Sequence, residues 1–544
     1  MFNFVHIAHK RQTLRKQAPF PYPGTGTPER NPERDDCSRY KLTNYLTYPG
    51  KDRRLPQQPQ NIFIIMMLLH VIFLLLLPLT TSQLPAPLLQ LTKHDITNAS
   101  QRGAVCNDNS PAVFYFRDCP RPGLECQINP HGDQWIIVFE GGEPSSVCFD
   151  QASCAARNPT FQSSIHFPSA FHHSMLDGIF SDSGEGNPNF YEHRIVWVPY
   201  CSSDMWLGDS TDGGTDSGMD SGMDSGTTPA LTFKGHRIVQ AVVEDLIATT
   251  FTLVSVPTPY GPGPNKTSIK NASQIVVVGN LGVIRWLDTI ADQLIQASNK
   301  KNVNVSGICD GCLVSSLAPY VSLSTQPCTH DPASCPTSKL FSQYSSSAWN
   351  FQYPKGKRDK KDKRDKRNKR DKRGKKDYTS LFAMPLLADT KTPLQVHHPL
   401  YDLIQLKQNR LPTSAWPPLS GSQEEKYALS FAADIKTVMA SHHQNTGMYT
   451  FAPACSGSPS STLTNQSHGS SGPTSSSVLA HDSFFCLPIQ NCTLLGRKSI
   501  NAITQSAATS MFLNDPNHVF EPKCIDQCVG IDCNVNCKHP NCGL

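Results

Sequence analysis

The sequence predicts an α/β protein: a mostly parallel sheet with helices on both faces, cross-linked by disulfides and interrupted by disordered insertions. Three observations carry that reading. Short runs of β-branched residues lack the polar alternation of a half-exposed strand, segments of helical periodicity lie between them, and 18 of the 19 cysteines follow one long apolar segment.

The 544 residues include 43 Pro and 34 Gly, with 38% apolar and 17% charged residues. That apolar share is below the ~45–50% usual for globular chains. Four polar blocks account for the deficit: residues 1–60, a Gly/Asp/Ser repeat over 208–228, a Lys/Arg run over 355–376 and a Ser/Gly-rich stretch over 456–478. The roughly 350–400 residues outside them can bury a large core, which excludes a peptide hormone, a collagen-like fibre and a wholly disordered chain. The formal charge of +5 is equally local. Residues 355–376 hold 15 Lys/Arg against four Asp, so the remainder has 34 basic and 40 acidic residues and is mildly acidic.

The apolar segment IFIIMMLLHVIFLLLLPL spans 62–79, after Lys51, Arg53 and Arg54 and before Thr80, Thr81 and Ser82. A basic flank, an apolar stretch and small residues make a secretory signal within 62–82, with cleavage after Ser82. The extension over 1–61 leaves a second reading open, an uncleaved signal anchor and a single-pass type II membrane protein. In either case the chain beyond Ser82 faces the lumen and then the exterior.

Cysteine usage agrees, since only Cys37 precedes the segment and an even number follows it, as suits disulfides in an oxidising compartment. The tail over 524–542 has zinc-like spacings at Cys524/Cys528 and Cys533/Cys537, and in an exported chain these read as disulfides. No metal site and no cofactor motif is read in the chain. Six glycosylation sequons, at Asn98, Asn265, Asn271, Asn304, Asn465 and Asn491, all lie past the signal.

Among the strands, WIIVF (135–139), RIVWV (194–198) and QIVVV (274–278) are bounded by Gly, Pro or Asn and read as buried on both faces. The segments 236–250, 283–298 and 425–443 have helical periodicity, and the alternation gives crossovers over a parallel sheet. The block TDGGTDSGMDSGMDSGTT lacks apolar periodicity and the closing Glu of a calcium loop, so it reads as a solvated insertion. In the basic run, like charges recur every three residues and keep the segment solvated. Its functional readings are a site for sulfated glycans such as heparan sulfate, or proteolysis at RDKR (364–367), RNKR (367–370) and RDKR (370–373). A lumenal location argues against nucleic acid.

Several segments in fixed order resemble the Notum family of carboxylesterases, relatives of the plant pectin acetylesterases. They are VCNDNSPAVFYF (105–116), WIIVFEGG (135–142), CFDQASCAAR (148–157), the stretch over 178–206 ending PYCSSDMW, QIVVVGN, SGICDG (306–311), SAWN (347–350), TPLQVHHPLYDLIQL (392–406) and FAPAC (451–455). The resemblance covers about 95–542. It implies an α/β-hydrolase fold over that range, a Ser, Asp, His triad in chain order, and removal of palmitoleate from a Wnt serine, which silences Wnt signalling. An acylated Wnt-like protein is then the expected partner.

Residue by residue, the resemblance retains some of that machinery and lacks the rest. The nucleophile should sit in a Gly-rich elbow after QIVVV, yet Gly279, Asn280, Leu281 and Gly282 run directly into a helix, about six residues short of such an elbow. Ser202 and Ser203 belong to PYCSSDMW, which in the family is not the nucleophile site. Tyr401, Asp402 and Gln405 match a YDxxQ pattern that makes Asp402 the triad acid, with helix capping as its alternative role; Asp310 reads as structural. The base is expected three residues after the Cys of FAPAC, where Ser458 stands, leaving His468 as the candidate base and His481 as a further one. Gly141 and Gly142 remain for the oxyanion, but Glu143 and Pro144 follow, adding a like charge and removing one N–H donor.

Three separated catalytic elements are altered while strands and cysteines persist. The leading reading is therefore a secreted, catalytically impaired member of the family that retains Wnt, lipid or glycan binding. The alternatives are an active Wnt deacylase whose elbow is lost by a misjoined coding sequence at Gly279, and an extracellular glycan-binding module.

Overall fold

A computed structural model of the chain describes residues 90–118, 133–141, 146–155, 162–172, 178–180, 189–210, 231–252, 266–300, 302–321, 381–414 and 416–441. It also describes isolated positions between these, and beyond them the strand segments 448–452, 456–457, 489–494, 497–503 and 522–525. The apolar segment at 62–82, the basic run at 355–376 and most of the Ser-rich and Cys-rich stretches lie outside the described residues.

In chain order the elements are β1 (Gln90–Asp95), α1 (Ala99–Arg102), β2 (Val113–Arg117), β3 (Gln134–Phe139), α2 (Gln151–Ala155), β4 (Ala170–His172), β5 (Arg194–Val198), α3 (Gly235–Ala248), β6 (Phe251–Thr252), β7 (Lys266–Thr267), β8 (Gln274–Gly279), α4 (Leu281–Ala297) and β9 (Asn304–Asp310). There follow α5 (Ala383–Asp389), β10 (Leu394–His397), β11 (Tyr401–Asp402), α6 (Leu403–Gln408), α7 (Gln423–Ser441), β12 (Met448–Ala452), β13 (Ser456–Gly457), β14 (Ile489–Leu494), β15 (Arg497–Ile503) and β16 (Pro522–Ile525). Twelve strands form one sheet in the order β15-β14-β16-β12-β10-β9-β8-β3-β5-β2-β1-β4. The seven from β5 to β16 run parallel to one another.

The expected α/β architecture is present, and its physical basis is plain in the three β-branched runs. Every residue of β5 and β8 is buried, and so is all of β3 after Gln134, as strands covered on both faces require. The helices over 235–248 and 281–297 bury Ile238, Val242 and Leu246, and Val283, Leu287 and Leu294, at helical spacing. Where α3 meets α4 the His236 ring stacks on Trp286 at 3.8 Å. Burial there drives the imidazole down to about 4.

The sheet is more mixed than the sequence suggests, with antiparallel flanks: β2, β1 and β4 at one edge, β14 and β15 at the other. Within β1, QLTKHD buries Leu91 alone. Two insertion boundaries also shift. Gly208 donates to the Asp204 carboxylate and Ser210 to the Phe233 carbonyl, so the first three residues of the 208–228 insertion pack on the domain. Ser456 and Gly457 form β13 rather than opening a structureless stretch. Disulfides join Cys106 to Cys201, Cys148 to Cys154 and Cys309 to Cys312.

Strand order locates the site. From β3 the chain goes to β5 on one side and later to β8 on the other, a reversal of the kind beyond whose strand C-terminal ends open α/β sheets place a crevice. In open α/β sheets ligands bind at such switch points. Gly141 follows β3, and Asn280 follows β8.

Candidate active site

In a nucleophile elbow the strand-to-helix turn is sharp and strained. Here the junction is as short, a single residue between strand and helix, and it is unstrained. Asn280 has φ −88° and ψ −171°, ordinary extended backbone, and Leu281 is the first helical residue. The Leu281 side chain is 1% exposed and packs into the core. Asn280 Nδ2 donates to the Gly141 carbonyl at 3.1 Å, so one hydrogen bond spans the crevice at the switch point.

The strain lies instead in PYCSSDMW, where Ser203, Met205 and Trp206 all have positive φ. Each such residue costs on the order of 1–3 kcal/mol and persists only when its surroundings over-determine it. They do so here. The buried Asp204 carboxylate accepts bonds from Ser202 Oγ at 2.6 Å and from the backbone N–H groups of Trp206, Gly208 and Gly235. Burial still raises this carboxyl to about 6, against those bonds. Tyr200 Oη accepts from Met205 N, Trp206 Nε1 donates to the Glu140 carbonyl, and Trp286 Nε1 donates to the Trp206 carbonyl. Arg157 donates to Ser203 Oγ. Ser202 and Ser203 are thus tied into this scaffold, in keeping with a structural role.

Two glycines show how closely the scaffold fits. Gly141 has φ +63°, and a Cβ there would lie 3.1 Å from the Tyr200 ring. At Gly282 a Cβ would lie 1.7 Å from the Met205 carbonyl oxygen. That oxygen is backbone, in a loop that cannot yield. Gly282→Ala is therefore expected to destabilise the fold by about 3 kcal/mol or more, measured by denaturant unfolding. Gly421→Ala, whose Cβ would meet nothing within 4 Å and whose φ of +81° is its only obstacle, should cost about 1 kcal/mol; equal losses at both positions would contradict the close approach.

Asp402 sits at the junction of β11 and α6, buried, and caps the helix. Its Oδ1 accepts from Ile404 N at 2.9 Å and Gln405 N at 3.1 Å. Its Oδ2 accepts from Gln405 Nε2 at 2.8 Å. Gln405 also donates to the Leu313 carbonyl and accepts from Ser315 N, which explains the YDxxQ spacing: the Gln ties the acid to the segment after β9. Burial raises the Asp402 carboxyl to about 6, opposed by these bonds.

The neighbouring strand β13 pairs with β11 so that Asp402 lies opposite Gly457. The next residue, Ser458, is the position where the base is expected; it lies outside the described residues, as do His468, His481 and Gly142 to Ser145. The structure places Gly141, Asn280 and Asp402 beyond the C-terminal ends of β3, β8 and β10.

One residue escaped the sequence reading. His398 is fully buried, its Nε2 lies 4.0 Å from Asp402 Oδ2, and neither ring nitrogen has a hydrogen-bond partner among the described residues. Burial, and secondarily His397, pushes it down to about 3. Asp402 is itself drawn toward its neutral form and does little to keep His398 charged. The adjacent His397 is paired instead, its Nδ1 at 3.0 Å from Asp310 Oδ1. Only the doublet His397-His398 just before YDxxQ hinted at this arrangement. Among the described residues no group of three or more His, Cys, Asp or Glu is arranged to hold a metal ion.

Residues 88–255 match the pectinacetylesterase family model. The palmitoleoyl-protein carboxylesterase NOTUM of Schmidtea mediterranea is 26% identical over 329 residues, 59% of this chain and 50% of that protein. The Drosophila melanogaster protein of the same name is 28% identical over 226 residues, covering 41% and 28% of the two chains. The human one is 26% identical over 223 residues, covering 40% and 36%. Each match spans half or less of the relative's length. The solved structure of the Wnt deacylase Notum from Drosophila superposes with a TM-score of 0.54 at 20% identity, over 82% of this chain and 99% of that one, a likeness of fold.

Proposed function

This chain resembles Notum within the pectinacetylesterase family, and from that resemblance we propose that it holds an acylated Wnt-like protein without cleaving the ester. One observation carries the proposal: β8 enters α4 through the unstrained turn Gly279-Asn280-Leu281, with a buried leucine at the start of the helix. Without a nucleophile there is nothing for a base to activate, and the acid is occupied as a helix cap. Loss of triad members leaves binding intact while removing most of the rate. The test is a palmitoleoylated Wnt peptide titrated into the protein, with binding read by calorimetry and ester loss by mass spectrometry. Saturable binding without ester loss is expected. Absence of binding, or ester loss, would overturn the proposal.

Export belongs to the same proposal, with 62–82 as the signal and cleavage after Ser82. Among the described residues no helix is long and apolar enough to cross a membrane. The run over 355–376 supports sulfated glycans as a second partner, because 15 cations within 22 residues attract a polyanion chiefly through charge. Retention on heparin should fall as salt shortens the screening length from about 10 Å at 0.1 M to about 3 Å at 1 M. Deleting 355–376 should abolish retention with unfolding unchanged, and elution at the original salt would refute this assignment.

A further inference from the structure

The six sequons are equivalent as motifs, and the fold makes them unequal. Asn98 is exposed, and although it occupies the N-cap of α1 its side chain makes no capping bond. Ser100, which completes that sequon, is exposed as well. Asn271 is exposed at the end of the 3-10 turn Ile269–Asn271. Its Oδ1 accepts a hydrogen bond from Asn299 Nδ2 at 2.9 Å, which fixes the amide while leaving Nδ2, the atom of an N-glycosidic bond, for other use. Asn304 differs. It is half-buried, opens β9 opposite Gln274, and is followed by Val305 and Ser306 inside the core. Asn265 and Asn465 lie outside the described residues, and Asn491 lies within β14.

We propose that Asn98 and Asn271 carry N-linked glycans in the mature protein and that Asn304 carries none, an inference that rests on the export reading above. In the modification, Nδ2 attacks the anomeric carbon of an oligosaccharide held on a lipid pyrophosphate. The new C–N bond replaces the sugar–phosphate C–O bond, the lipid pyrophosphate departs with the electron pair, and the Nδ2 proton is lost to base. The reaction meets an unfolded chain, so selection among sequons comes afterwards. A sugar on Asn98 or Asn271 stays in water when the domain closes and displaces no hydrogen bond of the fold. On Asn304 it would have to be desolvated beside the β8–β9 pairing in the middle of the parallel sheet, at the cost of burying polar groups, and chains bearing it would not mature. Asn271 lies just before the N-terminal end of β8, opposite the end that carries Asn280, so its glycan leaves the crevice open.

The full chain expressed in animal cells and recovered from the medium tests the assignment, using a glycosidase that converts each glycosylated Asn to Asp, followed by peptide mass spectrometry. Positions 98 and 271 are expected to read as Asp and 304 as Asn. Ser100→Ala and Ser273→Ala, which erase the sequons without altering the asparagines, should each remove one glycan. An unmodified Asn98 or Asn271 in secreted protein, or a modified Asn304, overturns the proposal. A second arm replaces residues 1–82 with a well-characterised signal peptide. If only that form is exported, the export reading fails while the same three positions still decide the glycan assignment.

Discussion

The purified protein is expected to hydrolyse short acyl esters no faster than its own Asp402→Ala variant, at a rate on the order of 10⁴-fold or more below a working serine hydrolase. Two places in the chain account for this. The β8–α4 junction offers a buried leucine where an exposed hydroxyl is required. Position 458, next to the residue paired with Asp402, is a serine where an imidazole is required. Leu281→Ser should therefore also fail, since triad members act as a unit. Stability gives Asp402 a readout of its own. Asp402→Ala removes the cap of α6 and should cost ~1 kcal/mol, whereas Asp402→Asn keeps an acceptor for the two backbone N–H groups and should cost less. An ester hydrolysis rate that disappears in folded Asp402→Asn would show a working triad, and His468 or His481 would then be the base to mutate.

How much was legible in the sequence depended on how far each residue's environment is set by its neighbours along the chain. QIVVV and RIVWV are apolar throughout, and the strands match them to within one residue. QLTKHD and KSINAI carry no such mark. Their pairing is decided by what lies beside them, so the antiparallel flanks were missed. The helices begin one or two residues early, at Gly235 and Leu281, because their first turns are fixed by tertiary contact: Gly235 N–H donates to Asp204, and Gly282 lies against the Met205 carbonyl. At the site, the YDxxQ spacing was readable because both partners lie within one turn. The Asn280–Gly141 bond joins residues 139 apart, and His398 owes its isolation to the whole surrounding core. Neither could be inferred from local pattern.

His398 is expected to contribute a loss of stability in acid that its replacement by an apolar residue removes. In the folded protein its imidazole stays neutral down to about 3 because burial disfavours the cation, while in the unfolded chain it takes up a proton near pH 6.5. The unfolded state therefore binds more protons between those limits, and the stability associated with this residue is lost as pH falls from about 6.5 toward 3. Asp204 and Asp402 act in the opposite sense. Their folded-state carboxyls are raised to about 6, so each contributes stability that is fully present below the unfolded value near 4 and is lost as pH rises through 6. In the native protein these slopes partly cancel. His398→Leu, close to the original volume, removes only the first of them. It also removes two buried ring nitrogens that have no hydrogen-bond partner among the described residues, so it should raise stability by about 1–3 kcal/mol at pH 7. Between pH 6.5 and pH 4.5 the advantage should widen by roughly 2–3 kcal/mol, at 1.36 kcal/mol for each unit of pH. Denaturant unfolding of the disulfide-intact proteins at pH 7.0, 5.5 and 4.5 measures the difference directly; Asp204 is common to both and drops out, and Asp402→Asn made in both backgrounds removes the titration of the carboxyl 4.0 Å from the His398 ring. Parallel stability curves for the two proteins across that range would show that His398 is not held neutral by its burial.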